Sequence, residues 1–362
     1  MDIERLLTTV IEHQASDLHL QVGSAPMLRI HGQLAPVTMD ELSSEDIDQA
    51  FDRIADDEHK QRLNEDRAVD FAYVFGQEAR FRVNVFHDRD QLSIAMRQIP
   101  NSILSFEQLK LPPVMQEIAA VERGLVLVTG TTGSGKSTTL AAMIDWRNRN
   151  LRNRIITIED PIEFVHTSNK SLVAQREIGR DARAFLPAVR DALRQDPDVI
   201  LVGELRDADT MRTAIQAADT GHAVFSTVHS SRAAQTVKRL IAMFPAQERE
   251  LLMMQLASNL EAVVSQRLAR TLEGDGRVPV VEILRDSPVV RKLLEEGRVD
   301  SLPQAMANGE NGMQLFDQHL GQLYTDKVIK GREALRLADN PEAVSMAMRG
   351  MSTRDTSAGL VR

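Results

Sequence analysis

The chain has 362 residues, a formal net charge of −9 and no cysteine. That excludes disulfides and any thiolate-held zinc or iron–sulfur centre, and nothing in the overall charge suits a nucleic-acid partner. Hydrophobic content of 43% beside 26% charged residues is ordinary for a globular protein, and the length suits about two or three domains. No apolar run approaches the ~20 residues that span a bilayer. The opening MDIERLLTTVIEHQ interleaves acids with apolar residues, unlike a signal peptide.

Residues 1–100 read as a small α+β domain. An amphipathic helix through Ile3, Leu6, Leu7, Val10 and Ile11 leads into an alternating strand at Asp17–Val22, with Met27–Gly32 as its hairpin partner. A charged helical stretch near 43–63 follows, then strands at Ala68–Phe75, Ala79–Phe86 and Leu92–Gln98, turning at Gly76-Gln77-Glu78 and His87–Asp90. Residues 101–114, ending in Pro112-Pro113, read as a linker. From 115 to 286 strands and helices alternate, which predicts an α/β core around a largely parallel sheet with Ile155–Glu159, Val199–Gly203 and Ala223–Val228 as central strands. Residues 287–351 turn helical at Val289–Gly297, Leu315–Tyr324 and Glu333–Ala338, and 352–362 form a polar tail expected to be disordered. Leu251–Met254 reads as core in preference to interface. Arg147, Arg149, Arg152 and Arg154 make either a basic patch or, more simply, a solvated helix end and loop.

Four constellations carry chemistry. Gly130-Thr131-Thr132-Gly133-Ser134-Gly135-Lys136-Ser137 fits the phosphate-binding pattern G-x-x-x-x-G-K-[S/T], between a buried run at Gly124–Thr129 and a helix that continues through Thr138. Its glycines let successive N–H groups face phosphate oxygens at a helix N-terminus. Lys136 would reach the β- and γ-phosphates and Ser137 would ligate Mg²⁺. This predicts a nucleoside triphosphate site.

Second, Asp198–Glu204 is a buried strand that ends in an acid. Gly203 stands where an aspartate usually closes such a strand, and Glu204 behind it is placed to orient or deprotonate an attacking water. Third, Ile158–Phe164 holds Glu159, Asp160 and Glu163 around Pro161. It reads equally as an acidic solvated turn or as carboxylates gathered on a Mg²⁺–water shell. Fourth, His222 and His229 bracket the strand Ala223–Val228. Each is either structural or, near the γ-phosphate, a reporter of nucleotide state or a holder of a catalytic carboxylate; no third ligand has the spacing for a metal.

In this order and spacing the four motifs resemble the secretion ATPase superfamily, the hexameric motors of type IV pili and type II secretion. The likeness extends to Ala15–Leu20 with Gly23, Arg29-Ile30 and Gly32, to Ala79–Phe86, and to Met96–Pro100, so it covers about residues 1–285. Within the superfamily the chain looks most like the pilus retraction ATPases of twitching motility. It begins directly with the small domain and lacks the four-cysteine zinc module common in assembly ATPases. Val289–Glu296 departs from the helical motif of the main retraction motors, and Gly312–Gln318 resembles the accessory retraction ATPase.

The resemblance implies a PAS-like N-terminal domain, a RecA-like ATPase core and a helical C-terminal region. It implies ATP and Mg²⁺, a homohexamer, an inner-membrane platform protein as partner and a paralogous ATPase as a second one. The location implied is cytoplasmic, peripheral to the inner membrane, without direct insertion or nucleic acid. Glu204 would be the catalytic carboxylate, Glu159 and Glu163 would support Mg²⁺ and water, His222 would sense phosphate, and His229 would share that box. Arg82 and Arg97 would reach a nucleotide shared with a neighbouring domain. Rival readings are an extension or type II secretion ATPase, a non-hydrolysing regulatory subunit and a nucleic-acid translocase.

Overall fold

Alternation of apolar and polar residues builds the first hundred residues into one antiparallel sheet with helices on a single face. The structure is a computed structural model that describes residues 2–30, 32–76, 79–99, 102–274 and 276–349. The expected tail, with His31, Gln77, Glu78 and Pro100, lies outside the described residues. The chain divides into two compact units, 1–102 with 161–165, and 103–160 with 166–362.

In the first unit, helix α1 (Ile3–Glu12) starts where the Asp2 carboxylate accepts from the Glu4 and Arg5 amides, and it buries Ile3, Leu6, Leu7 and Val10. Strands β1 (Asp17–Gln21), β2 (Met27–Ile30) and β3 (Gln33–Pro36) follow. Then come α2 (Ser44–Ile54), α3 (Asp57–Asp66), β4 (Ala68–Phe75), β5 (Ala79–Asp88) and β6 (Gln91–Ile99). The strand order is β3-β2-β1-β6-β5-β4. Strand β3 adds a third strand to the expected hairpin, and the charged stretch is two helices. Ala55 ends the first in an extended conformation, and Asp56 caps the second by accepting from the His59 amide.

Leu18, Leu20, Phe81, Val83, Val85, Ile94 and Met96 pack the inner face. Direct register on the outer face aligns Arg29, Asp17, Arg97 and Arg82 across four strands. Burial pushes the Asp17 carboxyl up, but hydrogen bonds from the Ser16 hydroxyl and the Arg97 guanidinium outweigh it and hold it below the usual range.

The second unit opens with α4 (Val114–Ala119), β7 (Gly124–Thr129), α5 (Lys136–Asn150), β8 (Arg154–Glu159) and β9 (Leu172–Glu177). Next are α6 (Phe185–Ala192), β10 (Val199–Val202), α7 (Ala208–Asp219), β11 (Ala223–Val228), α8 (Ala233–Ala242) and α9 (Arg249–Asn259). The hairpin β12 (Leu260–Arg270) and β13 (Arg277–Arg285) leads to α10 (Pro288–Glu295), α11 (Leu302–Ala307), α12 (Phe316–Thr325), α13 (Gly331–Leu337) and α14 (Pro341–Met348). The seven strands lie in the order β13-β12-β7-β11-β10-β8-β9 and run parallel except for β13. All residues of β7, β10 and β11 are buried, because helices cover both faces. Leu125 and Leu127 face one core, Val126 and Val128 the other. Phe106 and Leu111, in the stretch read as a linker, are buried in the second unit's core.

Three residues depart from expectation. Leu251 and Met254 are exposed while Leu252 is buried, because α9 turns only one stripe inward. Arg147 is neither a basic patch nor a solvated helix end: it is only 2% exposed. Its guanidinium donates to the carbonyls of Ala119 and Val121 at 2.7 and 2.6 Å and to Asn153 Oδ1 at 2.9 Å. Burial pushes its pKa down to about 10. Arg147→Ala strands those acceptors and is expected to cost about 3 kcal/mol. Urea unfolding followed by Trp146, the single tryptophan of the chain, measures it, and an unchanged midpoint contradicts the assignment.

Candidate active site

Strands β7, β11, β10 and β8 are neighbours in parallel register, so the loops that leave their carboxyl ends emerge on one edge. The glycine loop leaves β7 and enters α5. Gly133 and Gly135 hold positive φ of 76° and 89°, and Gly135 caps the helix in the left-handed region. A Cβ on Gly130 would meet the Ser134 hydroxyl and lie 2.6 Å from the Gln266 carbonyl. Lys136 Nζ donates to the carbonyls of Gly130 and Thr131, each at 3.1 Å, so the ammonium lies back over the loop. Loop amides, a lysine and the N-terminus of a fifteen-residue helix form a cradle suited to polyphosphate. Ser137 and Thr138 occupy the first turn of that helix.

Glu204 leaves β10 one residue after Gly203. Its Oε1 lies 3.2 Å from His229 Nε2, and its Oε2 accepts from Arg206 Nε at 2.8 Å. The Thr227 hydroxyl donates to the Gly203 carbonyl at 2.7 Å and ties the ends of β10 and β11 together. Gly203 itself is packed against β8: a Cβ there would lie 3.3 Å from the Ile158 carbonyl and 3.4 Å from Glu159 Cα. Glu159 Oε1 accepts from Thr157 Oγ1 at 2.6 Å and Gln175 Nε2 at 3.1 Å. The edge therefore gathers Lys136, Ser137, Glu159, Glu204 and His229. Glu163 belongs to the 161–165 segment grouped with the first unit.

The fold does not bring His222 there. Its carbonyl accepts from the Gly124 amide at the start of β7, and its Nδ1 lies 2.9 Å from the Ala217 carbonyl. That is the opposite edge of the sheet, roughly 20 Å away at about 3.3 Å per residue. The structure therefore places His222, expected to sense phosphate, away from the glycine loop of its own chain. Arg82 and Arg97 face each other on the outer face of the first unit. Arg97 Nε is 2.8 Å from Asp17 Oδ1, and Arg82 Nε is 3.9 Å from Asp70 Oδ1.

Gln266, on β12, is the residue that the sequence reading missed. It is buried, and its Nε2 donates to the Ser134 carbonyl at 2.7 Å while its Oε1 accepts from Thr139 Oγ1 at 2.8 Å. One amide thus ties the glycine loop to the first turns of α5. Beside it, Thr129 and Ser265 hydroxyls pair at 2.8 Å. Burial pushes the Glu282 carboxyl up, partly offset by the Ala233 amide that donates to it at α8. Among the described residues, no group of three or more His, Asp or Glu side chains is arranged to hold a metal. A Mg²⁺ site here would take Ser137, phosphate oxygens and water, an arrangement usual for that ion. Gln266→Leu should weaken binding of a fluorescent ADP analogue about tenfold, through one lost buried hydrogen bond and an orphaned partner. Unchanged affinity in an equilibrium titration would remove Gln266 from the site.

Comparison with known proteins finds likeness over nearly the whole chain. The family model described as type II/IV secretion system protein matches residues 1–331. The chain is 42% identical over 343 residues to the type IV pilus retraction ATPase PilT of Pseudomonas aeruginosa, covering 94% of this chain and 99% of that one. It is 38% identical over 356 residues to the type IV pilus ATPase PilU of the same organism, covering 98% and 93%. A crystal structure of the pilus retraction motor PilT with bound ADP superposes with a TM-score of 0.88 at 40% identity, over 94% of this chain and 98% of that one. The likeness extends through both units. No helix among the described residues is long and apolar enough to cross a membrane.

Proposed function

The chain belongs to the type II/IV secretion system protein family, and we propose that within it this chain is a hexameric ATPase motor that powers type IV pilus retraction. The observation that carries the ATPase reading is the Glu204–His229 pair, at 3.2 Å, on the same sheet edge as the glycine loop. Likeness over nearly the full length of a named retraction ATPase supports the pilus reading, and the ADP bound in the similar motor supports ATP as substrate.

On this reading the loop amides from Gly130 to Ser137 hold the phosphates and Lys136 swings from the carbonyls of Gly130 and Thr131 onto the β- and γ-phosphates. Glu204 accepts the proton of the attacking water, while His229 and Arg206 fix the carboxylate. Mg²⁺, when bound, supplies charge neutralisation at the phosphates; Ser137 would hold it directly and Glu159 and Glu163 through water. Arg82 and Arg97 offer cations for a nucleotide held by another domain or another copy. Loss of the γ-phosphate removes the contacts that favour a closed arrangement, and the motor moves. Such a motor works from the cytoplasm on an inner-membrane platform protein.

Lys136→Ala should abolish binding of a fluorescent ATP analogue. Glu204→Ala should bind it normally yet lose turnover by about 10²–10⁴-fold. Normal phosphate release by Glu204→Ala would sink its assignment. In a strain lacking the gene, labelled pili should extend and not withdraw. The second reading is an accessory retraction ATPase, favoured by the comparable likeness to PilU. It predicts retraction that persists but weakens under load, and loss of surface pili would point to an assembly motor.

A further inference from the structure

Two arginines from different elements of the nucleotide edge converge on one carboxylate of the C-terminal helices. Asp339 lies between α13 and α14, and its Oδ1 is 2.6 Å from Arg232 Nη2 and 2.9 Å from Arg267 Nη1. The carboxylate is held before either arginine is counted, because the amides of Asp339 and Asn340 donate to the Asp317 carboxylate at 2.8 and 2.9 Å. Arg267 is held in turn: it donates to the Leu337 carbonyl at 2.8 Å, and its guanidinium lies 3.9 Å over the Phe316 ring.

Each arginine adjoins a residue of the site. Arg232 caps α8 three positions after His229, and its carbonyl accepts from Thr236 Oγ1 at 2.8 Å. The short run from His229 to Arg232 is thus pinned at one end by Glu204 and at the other by Asp339. Arg267 directly follows Gln266, which ties the glycine loop to α5. A side-chain network that shares one partly buried carboxylate is stiffer than an isolated surface pair.

We infer that Asp339 is a positioning residue for ATP hydrolysis, through which the C-terminal helices set the loop that carries His229 and, by way of Arg267, the strand that grips the glycine loop. This rests on the ATPase reading above. The geometry gives the helical region a means of reporting its own docking to the hydrolytic centre. Anything that pulls α13 and α14 away from β12 releases Arg232 and slackens the His229–Glu204 pair.

The experiment compares Asp339→Ala, Asp339→Glu, Arg232→Gln and the double variant Arg232→Gln/Asp339→Ala in the full chain. Asp339→Ala should lower kcat about tenfold with KM for ATP within about threefold, as expected for displaced rather than missing chemistry. Asp339→Glu should recover most of that loss, and the double variant should be no slower than either single one. Unchanged kcat in Asp339→Ala, or losses that multiply in the double variant, would overturn the inference. Should Asp339→Ala fail to fold, Arg232→Gln decides, and wild-type kcat there overturns it. An inactive wild type would instead defeat the ATPase reading. Amide hydrogen exchange then carries the test: Asp339→Ala should deprotect residues 230–236, and unaltered protection counts against the network.

Discussion

In a parallel sheet every strand ends on the same edge, and the residues that leave those ends lose their ladder partners together. In this chain that constraint brings the loop after Thr129, the acid after Gly203 and the histidine after Val228 into one neighbourhood from distant parts of the sequence. The register is held by apolar burial on both faces, with Leu125 and Leu127 in one core and Val126 and Val128 in the other. It is reinforced at the edge by polar ties between strand ends, of which the Thr227 hydroxyl on the Gly203 carbonyl is the clearest. Buried Thr129 is admitted there with Ser265 as its partner.

The first unit shows the opposite balance. Its inner face is apolar and its outer face carries Arg97 directly opposite Arg82, like charges that repel at cross-strand distance. Asp17 relieves Arg97, and hydrogen bonds from the Ser16 hydroxyl and then from Arg97 hold its carboxyl below the usual range against the effect of burial.

What was legible in the sequence follows from how locally each feature is encoded. The glycine loop needs three glycines, a lysine and a serine within eight positions, and the central strands are apolar runs because both their faces are covered. Strands β12 and β13 escaped notice because they mix buried polar residues, Gln266 and Glu282 among them, with apolar ones. Gln266 has no local signature: its partners Ser134 and Thr139 lie 132 and 127 positions away. Arg147 resembled any helix-end arginine, since the carbonyls it satisfies belong to a turn some 28 residues earlier. Two histidines that bracket a single strand stand at its two ends, so they cannot both meet one phosphate.

Gly203 carries an implication for how this site can vary. Backbone of β8 approaches it so closely that even a methyl group would press on Ile158 and Glu159. An aspartate at this position, where other phosphate-loop enzymes have one, would need β8 to give way from β10 by a few tenths of an ångström. Spreading them would shift Glu159 and Glu204 together. A side chain at this position would press on the strand that ends in Glu159 and on the turn that delivers Glu204, so it would act on both acids at once.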